Sequence, residues 1–142
     1  MSEGALDPST WVTLRKAAVR ARAHSYAPYS NFPVGAAGLT DDGRIVTGGN
    51  VENASLGVTL CAECSLVSDF IRTRRTRNRG RIIALAIVGP EANPLMPCGR
   101  CRQLLHEHGG PTLLIDHRDN PIPLSLLIPE AFDGSQLFRS GQ

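Results

Sequence analysis

Four cysteines stand in two pairs, Cys61-Ala62-Glu63-Cys64 and Pro97-Cys98-Gly99-Arg100-Cys101, separated by 33 residues in a chain of 142. Thiolates at this spacing suit zinc or redox chemistry, and three arrangements fit: a closed four-cysteine structural site, a reactive dithiol, or a catalytic site with three protein ligands. Structural sites usually join knuckles separated by about 15 to 20 residues and staple chains too small to stabilise themselves. This chain meets neither condition well. A redox pair gains a reactive thiol from a helix start, but two such pairs in one chain are less economical. Spacing alone favours the catalytic site and leaves the other two open.

Glu63 and Pro97 strengthen that choice. Cys98 and Cys101 are i and i+3 on one helical turn, so both sulfurs reach one metal, and Cys61 supplies a third from a facing helix. Three ligands leave one tetrahedral position for water. A metal at the N-terminal ends of both helices would let the positive dipole ends hold the thiolates deprotonated. Zinc lowers the pKa of bound water from about 15.7 toward roughly 7, and a carboxylate beside it, here Glu63, can take and deliver the proton.

The elements that must position these residues follow from hydrophobic period. After Asp7-Pro8-Ser9, which offers a cap and a starting proline, Trp11, Leu14, Ala18 and Ala21 recur at helical spacing. Residues 34–40 and 44–50 flank Asp41-Asp42-Gly43, a hairpin signal between two strands. Residues 61–73 carry Leu66, Val67, Phe70 and Ile71 on one helical face, and residues 82–88 form a continuous apolar run between Gly80 and Gly89. A third helix is expected over 98–108, a short strand over 112–115, extended chain at 121–124 and a helical turn near Leu126. Alternating strands and helices imply a central sheet covered by helices, in one domain spanning residues 1–142 with flexible ends at 1–7 and 134–142.

Composition agrees with a globular domain: 42% apolar, 20% charged, formal charge +2. That charge is too small to draw the molecule onto nucleic acid or a membrane. No stretch approaches the roughly 18 to 20 apolar residues of a membrane span, and residues 1–10 lack a basic patch before an apolar run. A cytoplasmic location is expected, where cysteines stay reduced. Arginines 72, 74, 75, 77, 79 and 81 form a dense run without interleaved aromatic residues, which reads as a solvated face and not as a nucleic-acid groove.

Cys61-Ala62-Glu63 with Pro97-Cys98-x-x-Cys101 resembles the zinc nucleoside and nucleobase deaminases, in the variant with cysteine as first ligand. The segments Tyr26-Ala27-Pro28-Tyr29-Ser30-Asn31-Phe32-Pro33-Val34-Gly35-Ala36-Ala37 and Asn50-Val51-Glu52-Asn53-Ala54-Ser55 narrow the resemblance to the small homotetrameric cytidine deaminases, over about residues 26–103. The resemblance implies an α/β fold, a three-layer α/β/α sandwich on a mixed sheet of about five strands. It implies one zinc ion per subunit on Cys61, Cys98 and Cys101, with Glu63 catalytic. It also implies substrate-binding roles for Phe32 against the base, Asn50 and Glu52 on the ribose 3′-hydroxyl, Ala62, and Phe132 from a neighbouring subunit. The implied reaction is hydrolytic deamination of cytidine and 2′-deoxycytidine in pyrimidine salvage.

Two positions depart from the family pattern. Cys64 stands where many relatives have an arginine that bonds the zinc thiolates, and Leu56 where a tyrosine is common near the neighbouring site. Arg100 or Arg102 could supply the missing donors. Two rival readings remain: a deaminase of a sugar-modified cytosine nucleoside antibiotic, and a non-enzymatic protein with a four-cysteine zinc staple.

Overall fold

The computed structural model describes residues 5–77, 79–91 and 93–137. Helix α1 (Pro8–Arg22) starts where the Asp7 carboxylate accepts the Ser9 N–H at 2.8 Å, and Pro8 fills the first position, which needs no N–H donor. Its buried stripe is Trp11, Leu14, Ala17 and Ala18, with Ala21 only half-buried. Strands β1 (Gly35–Thr40) and β2 (Ile45–Gly49) pair antiparallel, and Gly43 turns the hairpin at φ +84°, where a Cβ would be strained. Helix α2 (Ala62–Thr73), strand β3 (Ile82–Val88), helix α3 (Gly99–Gly109) and strands β4 (Leu114–Ile115) and β5 (Ile122–Pro123) follow. Single 3-10 turns lie at Leu56–Val58, Leu124–Leu126 and Gly134–Gln136.

The five strands make one mixed sheet in the order β2-β1-β3-β4-β5. Strand β1 is antiparallel to both β2 and β3, so β2 and β3 run the same way, and β4 is parallel to β3. Helices α2 and α3 are therefore successive crossovers between like-directed strands. Each crossover returns along the sheet from the carboxyl end of a strand, so both helix N-termini come to the same edge.

Alternation along β3 divides the interior. Leu85 and Ile87 join Ala36, Leu66, Phe70 and Leu105 beneath α2 and α3, whereas Ala84, Ala86 and Val88 pack with Trp11, Leu14 and Ala18 of α1. With both faces covered, β3 must be apolar throughout, as its sequence is. The register slips between Leu39 and Thr40, and the extra residue on β3 returns Ile82 to the α2 side. The result is the expected three-layer sandwich.

Strand β4 is shorter than the expected 112–115 because the Leu113 N–H bonds back to the Gly110 carbonyl, which keeps the preceding residues in a turn. Of the end segments expected to be flexible, residues 1–4 and 138–142 lie outside the described residues. Leu6 packs against the α1-side core, and Asp133 caps the 3-10 turn at Gly134–Gln136 by accepting the Ser135 N–H. Within the arginine run, Arg72 pairs with Asp69 at 2.8 Å and Arg75 approaches Asp42 at 4.0 Å. Among the described residues no helix is long and apolar enough to cross a membrane.

Candidate metal centre and active site

Cys61 and Cys98 are the N-cap residues of α2 and α3, both in extended backbone conformation, and the Cys61 side chain makes no capping bond to its own helix. Their sulfurs are free to turn toward the sheet edge where the two helices begin. Cys101 lies one turn into α3, on the same face as Cys98. The three Sγ atoms lie within 4.8 Å of one another, compatible with the roughly 3.8 Å edge of a tetrahedron built on Zn–S bonds of about 2.3 Å. Among the described residues no fourth cysteine, histidine or carboxylate joins the group, so Cys64 stands apart from it.

Electrostatics of the sulfurs fit a dication. Burial pushes the Cys61 thiol up, and burial together with the nearby Glu63 and Cys61 charges pushes Cys101 up further. Cys98 is held down, mainly by the Cys101 backbone N–H. Three converging sulfurs, two of them reluctant to ionise unaided, form the donor set that a divalent soft metal stabilises.

Glu63, in the first turn of α2, is only 5% exposed. Burial raises its pKa, opposed by its own backbone N–H and by the Cys101 thiol. The Cys101 thiol is therefore near enough to act on its carboxyl, and a raised pKa suits a group that takes up and returns a proton.

Asn50 and Glu52 hold a neighbouring loop. The buried Asn50 side chain accepts the Val34 N–H at 2.9 Å and donates to the Phe32 carbonyl at 3.0 Å. Glu52 Oε1 accepts the Tyr29 and Ser30 N–H groups at 2.9 and 3.1 Å, while Oε2 accepts the Ser30 hydroxyl. These bonds lower the Glu52 pKa, the Ser30 hydroxyl most. Backbone bonds between Tyr26 and residues 50 and 52 complete the stitching, so the segments around Phe32 and Glu52 form one unit. Phe32 stays half exposed beside Gly89, following Asn31 at φ +53°. Ala62 is fully buried between Cys61 and Glu63. Phe132 is exposed near the chain's end, its carbonyl accepting from Gln103 Nε2 at 2.8 Å.

Sequence reasoning left the arginines flanking Cys101 undirected. Arg100 reaches Cys61 Sγ and Cys64 Sγ, each at 3.7 Å from Nη2, and donates to the Thr59 carbonyl at 3.1 Å. Arg102 turns the other way, to the Pro97 and Leu127 carbonyls at 2.8 and 2.9 Å. The loop contacts of Tyr29 and Ser30 were not anticipated, and no periodic signal marks them.

Residues 9–115 match the family described as the cytidine and deoxycytidylate deaminase zinc-binding region. The chain belongs to that family. It is 56% identical over 122 residues, 86% of this chain and 89% of the other, to a cytidine deaminase of Mycobacterium tuberculosis. A crystal structure of cytidine deaminase from that organism superposes with a TM-score of 0.82 at 53% identity, covering 91% of this chain and 99% of that one. The cytidine deaminase of Burkholderia pseudomallei gives 0.75 at 40% identity, over 85% and 98%. The family's zinc-binding description agrees with the three-sulfur cluster, one zinc site among the described residues.

Proposed function

We propose that this protein hydrolytically deaminates cytidine and 2′-deoxycytidine to uridine and 2′-deoxyuridine, releasing ammonia. The observation that carries the reading is the buried Glu63 carboxyl beside three converging sulfurs that no fourth protein ligand joins among the described residues. Cys61, Cys98 and Cys101 would hold the zinc ion, which when bound supplies the Lewis acidity that makes water nucleophilic near neutral pH. Glu63 takes the proton from the attacking water and delivers one to N3 of the base, which makes C4 electrophilic. It then takes the remaining proton from the hydroxyl added at C4 and carries it to the amino group, so the C4 carbonyl forms as the C4–N bond breaks, and the carboxylate is regenerated when ammonia departs.

Spare bonding capacity supports the sugar contacts. Asn50 Nδ2 has a second hydrogen, and Glu52 Oε2 has a lone pair beyond the one used by Ser30, so a ribose 3′-hydroxyl can accept from one and donate to the other. Both residues also fix the loop that carries Phe32, which packs against the base with Ala62 nearby. An unmodified ribose matches this pair better than a sugar-altered nucleoside.

Assembly as a homotetramer with shared active sites is part of the proposal. The 3-10 turn leading to Cys61 exposes Leu56, at 71%, together with Val58 and Leu60, and Val51 pairs beside Leu60. Two cavities of about 650 and 590 Å³ share Leu6 and Leu114 as walls, the first also lying against α1, and are lined by none of the residues assigned to the site. Walls for a nucleoside would come from these apolar surfaces and a neighbour's Phe132. The cytoplasm, where nucleosides are salvaged and thiols stay reduced, is the proposed location.

Steady-state ultraviolet assays on cytidine, 2′-deoxycytidine and an arabinose analogue, with zinc content measured on the same preparation, test the reading. One zinc per chain and turnover of cytidine are expected. Zinc-loaded protein inert toward cytidine would reject the substrate, and protein that takes up no zinc would reject the mechanism.

A further inference from the structure

Three thiolates around a divalent ion leave a centre with a net charge of −1, and burying that excess is costly unless neighbouring groups offset it. The N-termini of α2 and α3 contribute, since both helices begin at the cluster with their unpaired N–H groups. Arg100 adds a full positive charge. Its Nη2 bridges Cys61 Sγ and Cys64 Sγ at 3.7 Å each. The Thr59 carbonyl anchors the same nitrogen at 3.1 Å, and Thr59 is itself fixed by its N–H bond to Leu56. Arg102 is committed to the Pro97 and Leu127 carbonyls and cannot share this task.

The direction of the contact matters as much as its charge. Arg100 stands on α3, beside Cys98 and Cys101, yet it reaches the N-cap of α2. It therefore ties together the two helices that carry the three sulfurs. Cys64, one turn along α2 from Cys61, presents a small side chain and a second sulfur acceptor, which leaves the guanidinium room between the helices.

We propose that Arg100 is a positioning residue for the metal centre: from α3 it offsets the excess thiolate charge at Cys61 and thereby raises zinc affinity, with Cys64 as the second support for its guanidinium. This rests on the three-cysteine zinc reading given above. Arg100 would act through the sulfur and not by touching the nucleoside. Its conservative replacement, lysine, keeps the charge, and glutamine keeps a donor without charge, so the two separate electrostatics from hydrogen bonding.

Competition with a chromogenic zinc chelator, at one fixed pH and ionic strength, measures the zinc dissociation constant of wild type, Arg100→Ala, Arg100→Gln and Arg100→Lys. Arg100→Ala and Arg100→Gln are expected to weaken zinc binding about 10- to 100-fold, the usual effect of losing a partner of a metal ligand, and Arg100→Lys to recover most of it. Because Arg100 is exposed, all four proteins should give the same circular dichroism spectrum at saturating zinc. Wild-type affinity in Arg100→Ala, or Arg100→Gln binding as tightly as Arg100→Lys, would overturn the charge assignment and leave the zinc reading intact. A wild-type protein without measurable zinc affinity would remove both.

Discussion

At the scale of single residues, Glu63 and Glu52 use the same functional group for opposite ends. Glu63 is buried and burial raises its pKa, which suits a group that takes up and returns a proton. Substituting glutamine preserves shape and removes the exchange: Glu63→Gln should keep its zinc by metal analysis while turnover falls at least 10²-fold, toward about 10⁴-fold. Cys64→Ser should also keep zinc, since its sulfur lies outside the cluster, whereas Cys98→Ser should lose it. Glu52 is the reverse case, held ionised by Ser30 and two backbone N–H groups. A carboxyl whose folded pKa lies below its unfolded value stabilises the fold above that unfolded value, about 4.3, and the support fades as pH falls through the folded pKa. Glu52→Gln should therefore melt below wild type at neutral pH, with the gap closing under acid. Zinc loss in acid is common to both proteins, so the difference between their melting curves isolates Glu52. A gap that stays constant from about pH 7 to 3.5 would contradict the assignment.

At the scale of elements, the metal centre depends on how closely α2 lies on the sheet. Gly48 in β2 makes that approach possible, because a Cβ there would collide with the Ala62 carbonyl oxygen and the Leu66 backbone nitrogen. Neither obstacle is a flexible side-chain tip. Gly48→Ala should cost about 1 to 3 kcal/mol in denaturant unfolding and weaken zinc binding, because the displaced turn begins at Cys61. Gly57→Ala, where nothing lies within 4 Å of the added carbon, is the matched control and should leave zinc affinity unchanged. Elements of this kind were unevenly legible in the sequence. Residues 82–88 coincide with β3 because a strand covered on both faces must be apolar throughout, and the Asp41-Asp42-Gly43 turn sits where the chain reverses. The bulge at Leu39/Thr40 and the turn that shortens β4 depend on bonds between distant segments, which leave no local period. The cysteine spacing marked the three sulfurs that the structure brings together, since a metal demands fixed donor types, and Glu63 lies two residues after the first of them. The spacing did not expose the Asn50 and Glu52 bonds to residues about twenty positions earlier, or which way Arg100 points.

At the scale of the whole molecule, one chain leaves its reaction centre beside uncovered apolar residues, and Phe132 sits exposed at the far end of the sequence. If Phe132 completes a neighbour's site, each site draws Glu63 and the cysteines from one subunit and the aromatic wall from another. Subunits carrying Glu63→Gln and subunits carrying Phe132→Ala would then be complementary. In a mixed assembly, a Phe132→Ala subunit still contributes its own Glu63 and cysteines, and a Glu63→Gln neighbour supplies an intact Phe132 to that site. Co-refolding the two variants in equal amounts should produce activity above the mean of the separate preparations, while simple mixing without subunit exchange should not. Light scattering on the same samples should report four chains per particle. Activity equal to the mean after verified exchange would place Phe132 in its own subunit's structure and leave the centre built from one chain.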